Sequence, residues 1–156
     1  MIYIIYMHVL TPKTRFEKIL KECNKVFVAR QFISKKFSFI NGFAEIDNSV
    51  IGITVPPNSK YDERSCFLIH EFGHLLEHRN RLKNRNKNKR SWTDYGIEDR
   101  AWKFGIAYFG KKNLLPLNIN KVAERCLTDY RRKLGGRLFY TVSTSNKKSL
   151  DSAVVF

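Results

Sequence analysis

The spacing of hydrophobic and polar positions changes several times along the chain, and each change predicts an element. Residues 1–7, Met1-Ile2-Tyr3-Ile4-Ile5-Tyr6-Met7, mix β-branched and aromatic side chains and predict a first strand. After Pro12, Phe16, Ile19, Leu20 and Cys23 recur at helical spacing, so residues 14–24 read as an amphipathic helix with a basic outer face. Residues 26–40 are β-branched, aromatic and basic without a helical stripe, and predict one or two strands. Residues 43–46 and 50–55 predict a hairpin turned by Asp47-Asn48-Ser49, and Pro56-Pro57 ends its second strand.

A longer helical pattern runs from about 60 to 79. Asn58 and Ser59 offer N-caps, and Asp62 and Glu63 place acid in the first turn. Cys66, Ile69, Gly73 and Leu76 form its inward stripe. Glycine costs about 1 kcal/mol in a helix interior, so Gly73 predicts that another backbone, most often a strand, passes close by. Two more helices follow over about 97–109 and 120–134, the second beginning near Asn118 or Asn120 and stopping at Gly135-Gly136. The whole predicts one α+β domain over residues 1–142. A short antiparallel or mixed sheet packs on the helix at 60–79 and those after it, and residues 143–156 form a flexible tail.

The helix at 60–79 contains His70-Glu71-Phe72-Gly73-His74. Four residues advance a helix by about 6 Å and slightly more than one turn, so His70 and His74 project from one face and can share a metal ion. Glu71 lies about 100° around the helix from His70, within reach of a water at that ion. This is the H-E-x-x-H arrangement of zinc hydrolases, and a peptidase is the expected activity.

A catalytic zinc takes three protein ligands and keeps one position open. His78 lies two turns beyond His70, about 12 Å along the axis, and a straight helix cannot bring both to one ion. A metzincin-type turn glycine and third histidine are absent, because Glu77 and Asn80 stand at those positions. His8, Asp94 and Asp99 remain as candidates, but Glu98 fits best. It heads the next predicted helix, and the small residues Ala101 and Gly105 behind it allow that helix to approach closely. In the resulting scheme His70, His74 and Glu98 hold zinc, while Glu71 takes a proton from water and passes it to the leaving amine. Tyr61, Tyr95 and Arg100 are candidate oxyanion donors. The strand at 50–55, as a sheet edge, would bind an extended peptide by strand addition; as an interior strand it would not.

Charge adds a second reading. Lys and Arg number 29 against 14 acidic residues, a net charge of +15 that favours acidic partners. Seven of the twelve residues at 79–90 are Lys or Arg, interleaved with asparagine, and read as an exposed loop. With Trp92 and Tyr95 beside it for stacking, this loop offers a surface to nucleic acid or another acidic partner. The alternative to a peptidase is therefore a basic nucleic-acid-associated or protein-binding module on the same scaffold, with little or no protease activity. Cys23, Cys66 and Cys126 are odd in number and scattered. That argues against a disulfide framework or a cysteine-rich zinc site and for a reducing, cytoplasmic compartment with the thiols as small buried hydrophobes. No stretch is long and apolar enough for a membrane span.

The run His70-Glu71-Phe72-Gly73-His74-Leu75-Leu76-Glu77-His78, followed by Glu98-x-x-Ala101-x-x-Phe104, resembles the ImmA/IrrE-type metallopeptidases. The hairpin from Gly42 to Val55 is also similar, so the resemblance covers roughly residues 42–109. Only the pairing of the two motifs is diagnostic, since the first is shared by many zincins. The resemblance implies a small zincin-like fold, zinc at His70, His74 and Glu98, Glu71 as general base, and a regulatory or repressor protein as substrate. The chain departs from the family pattern at Trp102, where asparagine is common, and at Gly105, which replaces alanine.

Overall fold

Thr11 opens the first helix. Its Oγ1 accepts a hydrogen bond from the Thr14 N–H at 3.2 Å, and Pro12, which lacks an N–H to satisfy, fills the first position of α1 (Pro12–Asn24). The computed structural model describes residues 9–83 and 94–134. The strand expected at 1–7, His8, residues 84–90 of the basic run, Trp92, the Gly135-Gly136 stop and the tail at 143–156 lie outside these residues.

Three strands follow, β1 (Val28–Ile33), β2 (Asn41–Glu45) and β3 (Val50–Val55), in the sheet order β1-β3-β2. β2 and β3 form the expected antiparallel hairpin, pairing Asn41 with Thr54 and Glu45 with Val50. Its turn ends at Ser49, which takes a left-handed φ of 51° and donates its N–H to the Ile46 carbonyl at 3.2 Å. β1 runs parallel to β3, from Val28 beside Val50 to Ile33 beside Val55. The sheet is therefore mixed, and residues 26–40 supply one strand. β3 lies in the middle of the sheet, so it is no edge for an added peptide. Its near-continuous apolar run, Val50-Ile51-Gly52-Ile53-Thr54-Val55, suits a strand flanked on both sides.

α2 (Tyr61–Lys83) is the central helix, buried on nearly every side from Arg64 to Glu77. Its length corrects the expected boundary. Arg79, Arg81 and Lys83 belong to its last turns, where the Arg79 guanidinium covers the Phe27 ring at 4.3 Å and Arg81 pairs with Glu77 one turn back. Ser59 does not cap the helix. Its hydroxyl donates to the Pro56 carbonyl and accepts from Arg64 Nε, both at 2.9 Å. α3 (Asp94–Gly110) begins earlier than expected, so Asp94 stands in its first turn and not in a loop. α4 (Ile119–Leu134) starts after Asn118, whose carbonyl accepts the Val122 N–H.

The core lies between the sheet and the four helices. Phe72 of α2 sits at its centre, with ring centroids of Phe27, Tyr108 and Phe109 at 5.1, 4.7 and 5.2 Å. The backbone that Gly73 admits is a helix and not a strand. A Cβ on Gly73 would collide with the Ala101 carbonyl oxygen and stand 2.7 Å from its carbon, and one on Gly105 would strike the Ile69 carbonyl. These glycines seat α2 and α3 backbone against backbone. Among the described residues, no helix is long and apolar enough to cross a membrane.

Candidate metal centre

The close seating of α2 and α3 brings His70, His74 and Glu98 together. The two Nε2 atoms are 3.1 Å apart; Glu98 Oε2 lies 3.1 Å from His70 Nε2, and Oε1 lies 3.5 Å from His74 Nε2. Ligands at about 2.0–2.1 Å around a tetrahedral zinc ion stand about 3.3–3.4 Å from one another. The observed separations of 3.1–3.5 Å, with each Glu98 oxygen facing one histidine, are close to that figure, so this group could hold a metal ion. All three residues are 5% exposed or less. Among the described residues this is the one group of three such side chains close enough to hold an ion.

Neighbouring groups pack against these three side chains. The Trp102 indole lies flat on the His70 ring, with centroids 4.3 Å apart and planes 21° from parallel. Trp102 is thus a packing plate for the His70 ring. Glu77 is buried one turn beyond His74 and binds Arg100 Nε of α3 at 3.2 Å and Arg81 Nε at 3.4 Å. This ion pair ties α2 to α3 directly behind the cluster.

Glu71 is different in kind. It is 1% exposed, and among the described residues neither carboxylate oxygen has a hydrogen-bond partner. Burial pushes its carboxyl up to about 8, against the opposing influence of His74. Burial also holds His70 down at about 4, and the neighbouring His74 adds to the effect. For His74 burial again favours the neutral ring, but the Glu98 hydrogen bond and the Glu71 charge outweigh it and raise the group. Burial would raise Glu98 as well, yet hydrogen bonds from both histidines bring it well below the usual carboxylate range, to about 2. Two buried carboxylates one helix apart are therefore driven in opposite directions, Glu98 toward the anion and Glu71 toward the neutral acid, which keeps its proton up to about pH 8.

A cleft of about 510 Å³ opens onto His70, Glu71, Glu98 and Trp102. Ile40 and Asn41 at the start of β2 form one side, and Arg125, Cys126 and Tyr130 of α4 form another. The remaining sequence candidates lie elsewhere. Asp99 pairs with Lys103 at 2.6 Å on the surface, and His78 contacts Arg81 at 3.2 Å. None of the expected oxyanion donors lines the cleft. Tyr61 packs on Phe16 and under Arg64, Arg100 is engaged by Glu77, and Tyr95 hydrogen-bonds Arg131, whose guanidinium also covers its ring at 4.5 Å. That ring face is therefore not open for base stacking. Nothing in the sequence marks Tyr130 and Arg125, because α4 shows only an amphipathic pattern that does not reveal what it faces. Cys126 likewise lines the cleft, whereas Cys23 and Cys66 are buried as expected. No protein-family model, curated protein or solved structure matches this chain.

Proposed function

We propose that the chain is a zinc-dependent peptidase with a zincin-like fold, in which His70, His74 and Glu98 hold the metal and Glu71 is the general base. The observation that carries this reading is the convergence of three buried metal-ligating side chains, 3.1–3.5 Å apart, beside a buried carboxylate that has no hydrogen-bond partner among the described residues. A small mixed sheet, a central H-E-x-x-H helix and a second helix bearing the glutamate agree with the fold that the family resemblance implies.

Zinc held there would polarise a peptide carbonyl and acidify a water molecule. Burial keeps Glu71 protonated up to about pH 8; a cation at the three donors would favour its carboxylate form, which would accept the water proton and return it to the departing amine. β2, paired only with β3 among the described residues, leaves one edge for an extended polypeptide, and its first residue Asn41 lines the cleft. Tyr130 and Arg125 line the same cleft and are candidate donors to a developing oxyanion.

The test is metal analysis joined to a cleavage assay on a panel of unfolded proteins. The wild-type protein is expected to carry about one zinc per chain, and Glu71→Gln to retain that zinc while losing cleavage. A purified protein without stoichiometric zinc overturns the metal assignment. A Glu71→Gln variant that cleaves as fast as wild type overturns the role of Glu71.

A further inference from the structure

β2 crosses α2 at the level of Glu71, and the crossing point is Gly42. An ideal Cβ built on Gly42 would collide with Glu71 Oε1 and stand 2.7 Å from Cδ and 2.9 Å from Cγ. Ordinary carbon contacts lie at about 3.5–4.0 Å, so the carboxylate occupies the volume that any other residue at position 42 would fill. Gly42 has an ordinary strand conformation with no left-handed φ, and its pairing with Ile53 is regular. The backbone does not demand glycine here; the space does. Glycine within a strand weakens it, and this one is repaid by the seat it leaves for the side chain opposite.

Among the described residues, neither Glu71 oxygen accepts a hydrogen bond. Its position is therefore set by packing, with the β2 backbone as one wall. The same strand supplies Asn41 to the cleft, so the strand that borders the cleft also determines where the base sits.

We infer that Gly42 is a positioning residue for Glu71: the bare backbone at the start of β2 forms a shelf that holds the carboxylate toward His70, His74 and Glu98. A side chain at position 42 displaces the carboxylate from this place. The catalytic significance of this shelf rests on the peptidase reading; the contact itself does not.

The experiment is a double-mutant cycle followed by thermal unfolding, with wild type, Gly42→Ala, Glu71→Ala and the double variant. Gly42→Ala is expected to lower Tm by about 5 °C or more when Glu71 is present and to cost little when Glu71 is truncated. Equal losses in both backgrounds overturn the contact. Cobalt supplies the second readout, because its visible absorption reports the surroundings of the ion. The Gly42→Ala protein is expected to bind as much cobalt as wild type but with altered bands, shifted in the same direction as those of Glu71→Gln. Equal cobalt content with unchanged bands overturns the positioning role. Failure of the wild-type protein to bind cobalt at all overturns the metal reading of the site, and the melting cycle still decides the contact.

Discussion

Gly73 of α2 lies against the carbonyl of Ala101 in α3 with no room for a single methyl group between them. This contact sets the distance between the helix that carries His70 and His74 and the helix that carries Glu98. Gly73→Ala is expected to destabilise the protein by about 3 kcal/mol or more, because the obstacle is a helical backbone and not a side chain that can turn aside. It should also weaken metal binding by moving Glu98 outward. Urea denaturation and metal titration of the variant check both effects. The gain of up to about 1 kcal/mol that alanine normally brings to a helix interior, with no loss of metal, would contradict the packing argument.

The third ligand can be tested against its neighbours. Removing Glu98 as Glu98→Ala should lower metal affinity by more than the roughly 10–100-fold seen when only an outer partner of a ligand is lost. Asp99→Ala and His78→Ala should leave affinity unchanged, since those side chains engage Lys103 and Arg81 away from the cluster. Competition with a chromogenic chelator gives the three values. Comparable losses in all three variants would count against the assignment.

Stability of the chelated protein should depend on Glu71 with a definite sign. The carboxyl titrates at about 8 in the fold, against an ordinary value of 4.5. Between those values the unfolded chain gives up a proton that the folded chain retains, so this stabilising term is complete below about 4.5 and is lost as pH rises toward about 8. Its full size is a few kcal/mol at most, at about 1.4 kcal/mol per pH unit. Glu71→Gln removes the term. The variant should therefore gain on wild type from pH 5 to pH 8 in urea denaturation with chelator present. A constant difference across that range would show that Glu71 is already ionised in the fold.

Arg100 and Glu77 should behave as one unit. Arg100→Ala leaves a buried carboxylate with only Arg81 and is expected to cost about 2–4 kcal/mol. The double variant Glu77→Gln, Arg100→Ala should cost less than the sum of the two single changes, because the second removes the stranded charge. Additive losses in denaturation midpoints would mean that the two groups are not coupled.

Local chemistry made much of this arrangement legible. His70, His74 and Glu71 follow from helical periodicity alone, and the two small residues Ala101 and Gly105 mark the helix that carries Glu98. The hairpin at 41–55 follows from its turn residues. What periodicity does not encode is which elements meet. β3 reads equally well as an edge or a centre until β1 is known to pair with it in parallel, a contact between residues more than twenty positions apart. Tyr130 and Arg125 are ordinary members of an amphipathic helix until α4 is placed against the cleft. Gly42 is unremarkable in a strand until α2 passes beneath it. In each case the missing information is a long-range contact that leaves no mark on the spacing of the residues involved.

Dividing the ligands between two helices has a thermodynamic consequence. His70 and His74 remain neighbours in any helical fragment, but Glu98 joins them only when α2 and α3 are packed. Any ion held by all three is a cross-link that exists in the folded chain alone, and its binding energy adds directly to the energy of folding. At 100 times the dissociation constant that addition is about 2.7 kcal/mol. With such an ion, the concentration of free metal would become a variable in how much of this chain is folded.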